Sequence, residues 1–278
     1  MIVWVTGASS GLGLHTAEAL RQAGHQVIVG ARSFREEKLE GRHAYLPLDV
    51  TSQDSAEAFA RRAGEIAGAP DALVQCAGVL VLGSCEHTPL TEYQRVMETN
   101  FLGMVRMNRL ALPLMREKGG GRIVMFSSIN GLLGVPYQSA YTAAKHAVEG
   151  YAECLQMETR AFGIQVCLVE PGDHRSGSSS YRARVPGMED TVYAETYRQT
   201  VAVIHHDESR GSDPDRLARA VAAALVRKRM PTRLLVASPD QRLAVVLHDL
   251  LPGGLNGKIL RDYYFSKKKA DRYQSEDR

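Results

Sequence analysis

Three observations predict a doubly wound α/β fold. Short β-branched runs alternate with helix-length stretches, the runs are continuously apolar, and the first one ends in a glycine-rich turn. The first strand is "IVWVT" (2–6), and the turn after it opens a helix over about 12–24. "QVIVGA" (26–31) and "HAYLPLDV" (43–50) read as the next two strands, followed by a helix over 53–68. "DALVQCAG" (71–78) is the fourth strand, and a long helix near 90–118 leads to "RIVMFSS" (122–128). A helix over 139–162, the strand "QVCLVEPG" (165–172), a helix over 214–228 and the strand "TRLLVAS" (232–238) complete the alternation. Continuous apolar runs suit strands covered on both sides, and right-handed crossovers put helices on both faces of the resulting seven-stranded parallel sheet. With no internal repeat or linker, a single domain is expected over 1–265.

The alternation breaks after 172. Residues 173–213 are polar, serine-rich and arginine-rich, with one helical stretch near 190–206. A connection of that length is expected to act as a lid over a site. Residues 266–278, with Lys267, Lys268 and Lys269, read as a charged and flexible tail.

Composition narrows the function classes. The chain of 278 residues is 44% hydrophobic and 23% charged, enough for one large buried core. A net charge of +3, with the most basic run confined to the tail, argues against a nucleic-acid partner. No apolar run approaches the ~18 residues of a membrane span. "MIVWVTG" enters the glycine turn without a secretory cleavage region, so stable membrane insertion and export are not expected. Cys76, Cys85, Cys154 and Cys167 lack zinc spacing and fit a reduced, cytoplasmic compartment. No metal site is expected: His205 and His206 are adjacent and, on a helix, point about 100° apart.

The turn "GASSGLG" carries Gly7, Gly11 and Gly13, with Ser9, Ser10 and Leu12 between them. Glycines allow a tight turn and close approach of a pyrophosphate to the N–H groups at a helix N-terminus. The second strand ends in Ala31, Arg32 and Ser33, where an acid would bind the ribose hydroxyls of NAD. A guanidinium there suits the 2′-phosphate of NADP(H), although the same arginine would also serve as a solvated strand end. Asp49, beside Val50 at the end of the third strand, can accept from an adenine amine or form a turn.

The carboxyl ends of the strands are where such sheets bind substrate. Ser127 and Ser128 end the fifth strand, and Asn100 lies on the long helix near 90–118. Tyr141 and Lys145 are four residues apart on the following helix, so both project from one face. A free phenol has a pKa of about 10, and an adjacent ammonium favours its ionised form. Tyr141 is therefore the candidate proton donor to a carbonyl, Lys145 its tuner and a hold on the nicotinamide ribose, and Ser128 a hydrogen-bond partner of the substrate oxygen.

"TGASSGLG", "CAG", "NFLG", "FSSINGLLG", "YTAAK" and "EPG" occur in the order and spacing of the short-chain dehydrogenase/reductase superfamily, which the chain resembles across nearly residues 1–238. "DPDRLARAVAAAL" and "MPTRLLVAS" further resemble its 17β-hydroxysteroid and retinol dehydrogenase branch. The resemblance implies a Rossmann-type domain with Tyr141 as acid/base, Lys145 as activator and Ser128 as the serine that orients the carbonyl, Ser127 being the poorer candidate. It implies that Asn100 binds a water through its backbone to extend a proton relay, that Cys76, Ala77 and Gly78 line the cofactor, and that Pro171 and Gly172 face the nicotinamide. It also implies a homodimer or homotetramer through the long 90–118 helix and the 139–162 helix, the latter's stripe of Ala140, Ala144, Ala147, Val148, Tyr151 and Leu155 equally able to serve as core.

Two departures stand out. Cys76 replaces the family's asparagine, removing an amide brace and predicting lower stability or a looser cofactor contact. Asp173-His174-Arg175-Ser176-Gly177 replaces the usual apolar or hydroxyl residue leading to threonine, which puts the contact to the nicotinamide amide in question. The expected activity is ketone–alcohol interconversion with NADP(H) on a hydrophobic, steroid-like or retinoid-like small molecule. Alternatives are a reductase of carrier-bound 3-oxoacyl or polyketide ketones, in which Arg175, Arg182 and Arg184 would meet an acidic tether rather than form a solvated loop face, and a non-enzymatic NADPH sensor.

Overall fold

The computed structural model describes residues 1–177 and 182–276, so residues 178–181 of the expected lid and 277–278 of the tail lie outside the described residues. The chain begins β1 (Ile2–Thr6), α1 (Gly11–Gln22), β2 (Gln26–Ala31), β3 (Lys38–Glu40), β4 (His43–Pro47), α2 (Gln53–Ala67) and β5 (Ala72–Gln75). It continues with β6 (Val81–Leu82), α3 (Leu90–Met97), α4 (Gly103–Glu117), β7 (Gly121–Phe126), α5 (Ser139–Thr159) and β8 (Ile164–Pro171). The remainder is β9 (Ala183–Arg184), α6 (Ala194–Ser209), α7 (Pro214–Leu225), β10 (Arg233–Val236), α8 (Pro239–Leu250), α9 (Gly253–Tyr264) and α10 (Lys267–Glu276).

Successive strand residues point to opposite faces, and both faces here are apolar. Val3, Val5, Val27, Val29, Val124 and Val169 pack with α1 and α7 through Ala17, Leu20, Leu217 and Val221. Their neighbours Trp4, Ile28, Leu73, Ile123 and Leu168 pack on the other face with Phe59 of α2, Met107 of α4 and Ala152 of α5. The strand order is β10-β8-β7-β5-β1-β2-β4-β3. All seven expected strands are present and mutually parallel. The order reverses between β1 and β5, which opens a crevice at their carboxyl ends.

The sheet has eight strands, not seven, because β3 turns back antiparallel on β4 at the edge. This three-residue strand alternates exposed Lys38 and Leu39 with half-buried Glu40, so no apolar run marks it in the sequence. A second correction concerns the long helix expected near 90–118, which is divided into α3, a π-helical turn at Glu98–Leu102, and α4. After β8, β9 pairs in parallel with β6, and α6 follows. Where a flexible tail is expected, the chain is helical as α10: Ala270 is buried, and Tyr273 stacks on His206 of α6 at 3.5 Å. Among the described residues no helix is long and apolar enough to cross a membrane.

One polar cluster ties the sheet edge to α5. Arg233 of β10 donates to Glu149 of α5 at 2.6 Å, to Glu153 at 2.7 Å, and to Glu170 of β8. The Glu149 and Glu170 side chains are only 9% and 3% exposed, and burial followed by the charge of Glu149 holds the Glu170 carboxyl above its ordinary range. Replacing Arg233 by methionine is expected to cost about 2 kcal/mol, less than the ~3–5 of a fully buried pair because Arg233 itself is partly exposed. Without the guanidinium the folded chain holds its carboxyl protons to higher pH than the unfolded chain does. The deficit, read from urea midpoints, should therefore be larger above neutrality than in mild acid.

Candidate active site

The glycine turn can be built from no other residue. Gly7 has φ +73°, and a Cβ on it would lie 2.4 Å from the Ala77 backbone nitrogen at the end of β5. A Cβ on Gly13 would lie 2.3 Å from the Gly7 carbonyl oxygen. Ser10, the N-cap of α1, is extended (φ −159°) and makes no side-chain cap, and the first turn of α1 has no acid. Ser9 and Ser10 are exposed and Gly11 and Leu12 half-buried, which leaves a cradle with helix N–H groups suited to a phosphate.

Arg32 and Ser33 stand exposed beyond β2, and Arg32 has no ion pair among the described residues. Asp49 forms a turn: its Oδ1 accepts from the Thr51 backbone N–H at 3.0 Å and the Thr51 hydroxyl at 2.8 Å. Its own N–H donates to Ser55 Oγ at 2.9 Å, and Oδ2 makes no hydrogen bond among the described residues. Val50 is buried against Gly103, where a Cβ would come within 2.8 Å of its Cγ2.

Past β5, Cys76 packs under the turn, its Cβ 3.0 Å from where a Cβ on Gly13 would sit. Burial pushes its thiol up, keeping it protonated. The Asn100 side chain grips the next loop: Oδ1 accepts from the Val79 N–H at 2.7 Å and Nδ2 donates to the Val79 carbonyl at 2.8 Å. Asn100 is fully buried in the π-helical turn, and Gly78 approaches its amide. Turns of this kind disturb the regular carbonyl ladder and collect at functional sites.

Lys145 is 3% exposed. Its Nζ donates to the Phe126 carbonyl at the end of β7 at 2.6 Å and lies 5.5 Å from the centre of the half-buried Tyr141 ring. Burial pulls Lys145 down to about 8, with the neighbouring Cys76 and Glu149 opposing. Ser128 caps the short 3₁₀ turn Ile129–Gly131, its Oγ accepting from the Asn130 N–H at 3.2 Å. Ser127 instead points beneath, within 2.5 Å of where a Cβ on Gly131 would sit, beside Glu149. The structure thus brings Lys145 and Tyr141 together at the end of β7 and turns Ser127 away from them.

Beyond β8, Pro171 is buried and the Gly172 N–H donates to the Val236 carbonyl at 3.0 Å. Asp173 turns inward: its N–H donates to Gln241 Oε1 at 3.3 Å, and its Oδ2 accepts from Gln241 Nε2 at 2.5 Å. The His174 Nδ1 donates to the Gly172 carbonyl at 2.9 Å. Arg182 is not part of a solvated face, because its side chain is 8% exposed and ion-paired with Glu208. Arg175 and Arg184 are exposed. Among the described residues no three metal-ligating side chains cluster. Two residues near the site were not singled out in the sequence. Gln241 sits at the capping-box spacing from Ser238, a legible signal, whereas the strained φ of +60° at Tyr137, four residues before Tyr141, leaves no trace in composition.

Burial, with Asp207 and Glu208 adding to it, pushes Asp173 up to about 7. A carboxyl whose folded pKa exceeds its unfolded value stabilises most below the unfolded pKa, and that contribution is lost as pH rises through the folded one. Asp173→Asn removes the loss. Its melting temperature relative to the parent chain is expected to climb between about pH 4 and pH 7 and to level off above. A difference independent of pH would contradict the assignment.

The short chain dehydrogenase family model matches residues 1–184. The 3-ketodihydrosphingosine reductase of Bacteroides thetaiotaomicron is 36% identical over 265 residues, covering 95% of this chain and 97% of that protein. Dehydrogenase/reductase SDR family member 7B of Danio rerio is 31% identical, covering 90% of this chain and 82% of its own. A short-chain dehydrogenase structure from Streptomyces avermitilis superposes with a TM-score of 0.74 at 30% identity, covering 98% of this chain and 97% of that one. With the glycine cradle, the Asn100 clamp and the Lys145–Tyr141 pair in place, the match over two thirds of its length makes this chain a member of the short-chain dehydrogenase/reductase family.

Proposed function

We propose that the protein is an NADP(H)-dependent oxidoreductase that interconverts a ketone and a secondary alcohol on a hydrophobic substrate. The observation that carries this reading is the buried Lys145 ammonium, fixed to the Phe126 carbonyl beside the Tyr141 ring. A buried cation is costly unless compensated, and a neighbouring phenol able to carry negative charge gives it a use. The nicotinamide dinucleotide supplies or accepts the hydride when bound. Gly7, Ser9, Ser10, Gly11, Leu12 and Gly13 would hold its pyrophosphate, and Cys76, Ala77 and Gly78, with Pro171 and Gly172, its nicotinamide end.

Tyr141 then moves a proton between its hydroxyl and the substrate oxygen, and Ser128 Oγ orients that oxygen. Lys145 favours the ionised phenol and holds the ribose. Asn100, by fixing the Val79 backbone, keeps open a water route for the proton. Arg32 supports NADP(H), since its guanidinium has no carboxylate partner among the described residues and suits a 2′-phosphate; Ser33 would add a donor, and Asp49 Oδ2 with Val50 would meet the adenine.

The relative named as a 3-ketodihydrosphingosine reductase favours a hydrophobic ketone, and a long-chain one rather than a steroid-like or retinoid-like one. The carrier-bound alternative loses Arg182, which Glu208 already engages. We further propose one catalytic domain over 1–265 with 173–213 as its lid, in a cytoplasmic homodimer or homotetramer. Ala140, Ala144, Val148 and Leu155 are core, so the contact between copies would use other faces of α4 and α5, where Leu102 flanks α4 and Met157 lies on α5, both exposed.

The test is NADPH oxidation against long-chain, steroid and retinoid ketones. Tyr141→Phe is expected to lower kcat by about 10²-fold or more while NADPH binding persists. Arg32→Glu should move the kcat/KM preference from NADPH toward NADH. Tight NADPH binding with no ketone consumed would leave the sensor alternative standing, and an active Tyr141→Phe would remove the proposed mechanism.

A further inference from the structure

The outer faces of α8 and α9 are apolar. Leu243, Val246 and Leu250 recur at the three- and four-residue spacing of one helix face, and each is at least half exposed. Leu255 and Ile259 form a second stripe one turn apart on α9, 48% and 43% exposed. Only Leu251 and Pro252 separate the two helices. Their inner faces are already occupied: Val245 is buried, and Leu260 lines a largely apolar cavity of about 500 Å³ against Val135, Pro136 and Ala143. A helix packed through one face ordinarily turns polar residues outward. Elsewhere the exposed large apolar side chains, such as Leu39, Leu90 and Val192, stand far apart in the sequence. Five gathered between 243 and 259 mark an interaction surface.

Charge selects the occupant. Residues 239–269 carry six lysines and arginines against Asp240, Asp249 and Asp262, so this segment holds the whole of the chain's net charge of +3. Lys258, Lys267 and Lys268 are exposed and form no ion pair among the described residues, whereas Asp262 lies 3.6 Å from Arg261. The cores of protein–protein interfaces are depleted in lysine. A helix lying at an anionic bilayer instead combines leucines on one side with lysines at the flanks, whose stems lie along the apolar surface while the ammonium reaches the head groups.

We propose that the α8–α9 surface docks onto an anionic lipid bilayer. Leu243, Val246, Leu250, Leu255 and Ile259 enter the head-group region, and Lys258, Lys267 and Lys268 pair with lipid phosphates. The protein lies on the membrane and does not span it, since no described helix is long and apolar enough to cross. Docking depends neither on turnover nor on a bound dinucleotide.

Flotation of the full chain with phosphatidylcholine vesicles, with and without phosphatidylglycerol, tests it. Binding to the anionic vesicles is expected, and it should fall steeply as salt is added. Lys258→Gln, Lys267→Gln and Lys268→Gln should each weaken it about fivefold at low salt. Leu250→Ser combined with Leu255→Ser should weaken it about tenfold or more. Both leucines are exposed, so the melting temperature should hold. The proposal is overturned if the parent chain floats with neither vesicle. It is also overturned if the leucine variant binds vesicles as the parent does, which is adsorption by charge alone. If that variant still binds but light scattering shows a dimer turned into a monomer, the surface serves a second copy instead.

Discussion

The buried ammonium of Lys145 is the constraint around which the candidate site is arranged. An isolated charge in a protein interior is strongly penalised, and here the penalty is offset in part by local groups. The Phe126 carbonyl accepts from Nζ at 2.6 Å, and Glu149 lies one helical turn on. Glu149 is in turn held by Arg233, which also binds Glu170 on β8. A chain of alternating charge therefore runs from the site through α5 to the sheet edge. The parallel register that sets Phe126 beside Val169 and Arg233 beside Leu168 keeps these groups in reach of one another.

The segment after β8 is coupled to that arrangement through aromatic contacts. Tyr137 holds a left-handed backbone (φ +60°) that a non-glycine residue adopts at a cost, and its ring is fixed by Tyr197 of α6 and Phe265 beyond α9. Its hydroxyl pairs with Thr196. The C-terminal helices continue the same wall: Tyr263 donates to Asp207 at 2.8 Å, and Lys269 stands over the Tyr263 ring. Residues that look like a solvated tail thereby help support α6. A change in α6 would reach the approach to α5 through a ring contact rather than through the backbone.

Charge is unevenly distributed beneath this wall. Asp173, Asp207 and Glu208 gather near the end of β8, with Arg182 paired to Glu208 and Gln241 bonded to Asp173. The acidic groups are thus held inward, while Arg175, Arg184 and Arg198 are exposed. An arginine-rich stretch of sequence is in this way separated into one buried structural pair and exposed guanidiniums.

The sequence by itself determined the doubly wound architecture, the seven parallel strands, the glycine turn and the Tyr141–Lys145 face. Each rests on short-range rules: the two-residue alternation of a strand, the 3.6-residue turn of a helix, and the spacing of glycines between a strand and a helix. Tertiary structure decided what depends on contacts between distant residues. It added the edge strand β3, whose three residues carry no apolar pattern, and it inserted the π-helical turn where Gly103 packs on Val50. It drew Arg182 into the interior because Glu208, 26 residues on, was there to receive it. It also ordered the tail onto α6. Local periodicity reports which face a residue occupies; the partner waiting on the opposite side is set by packing of the whole chain.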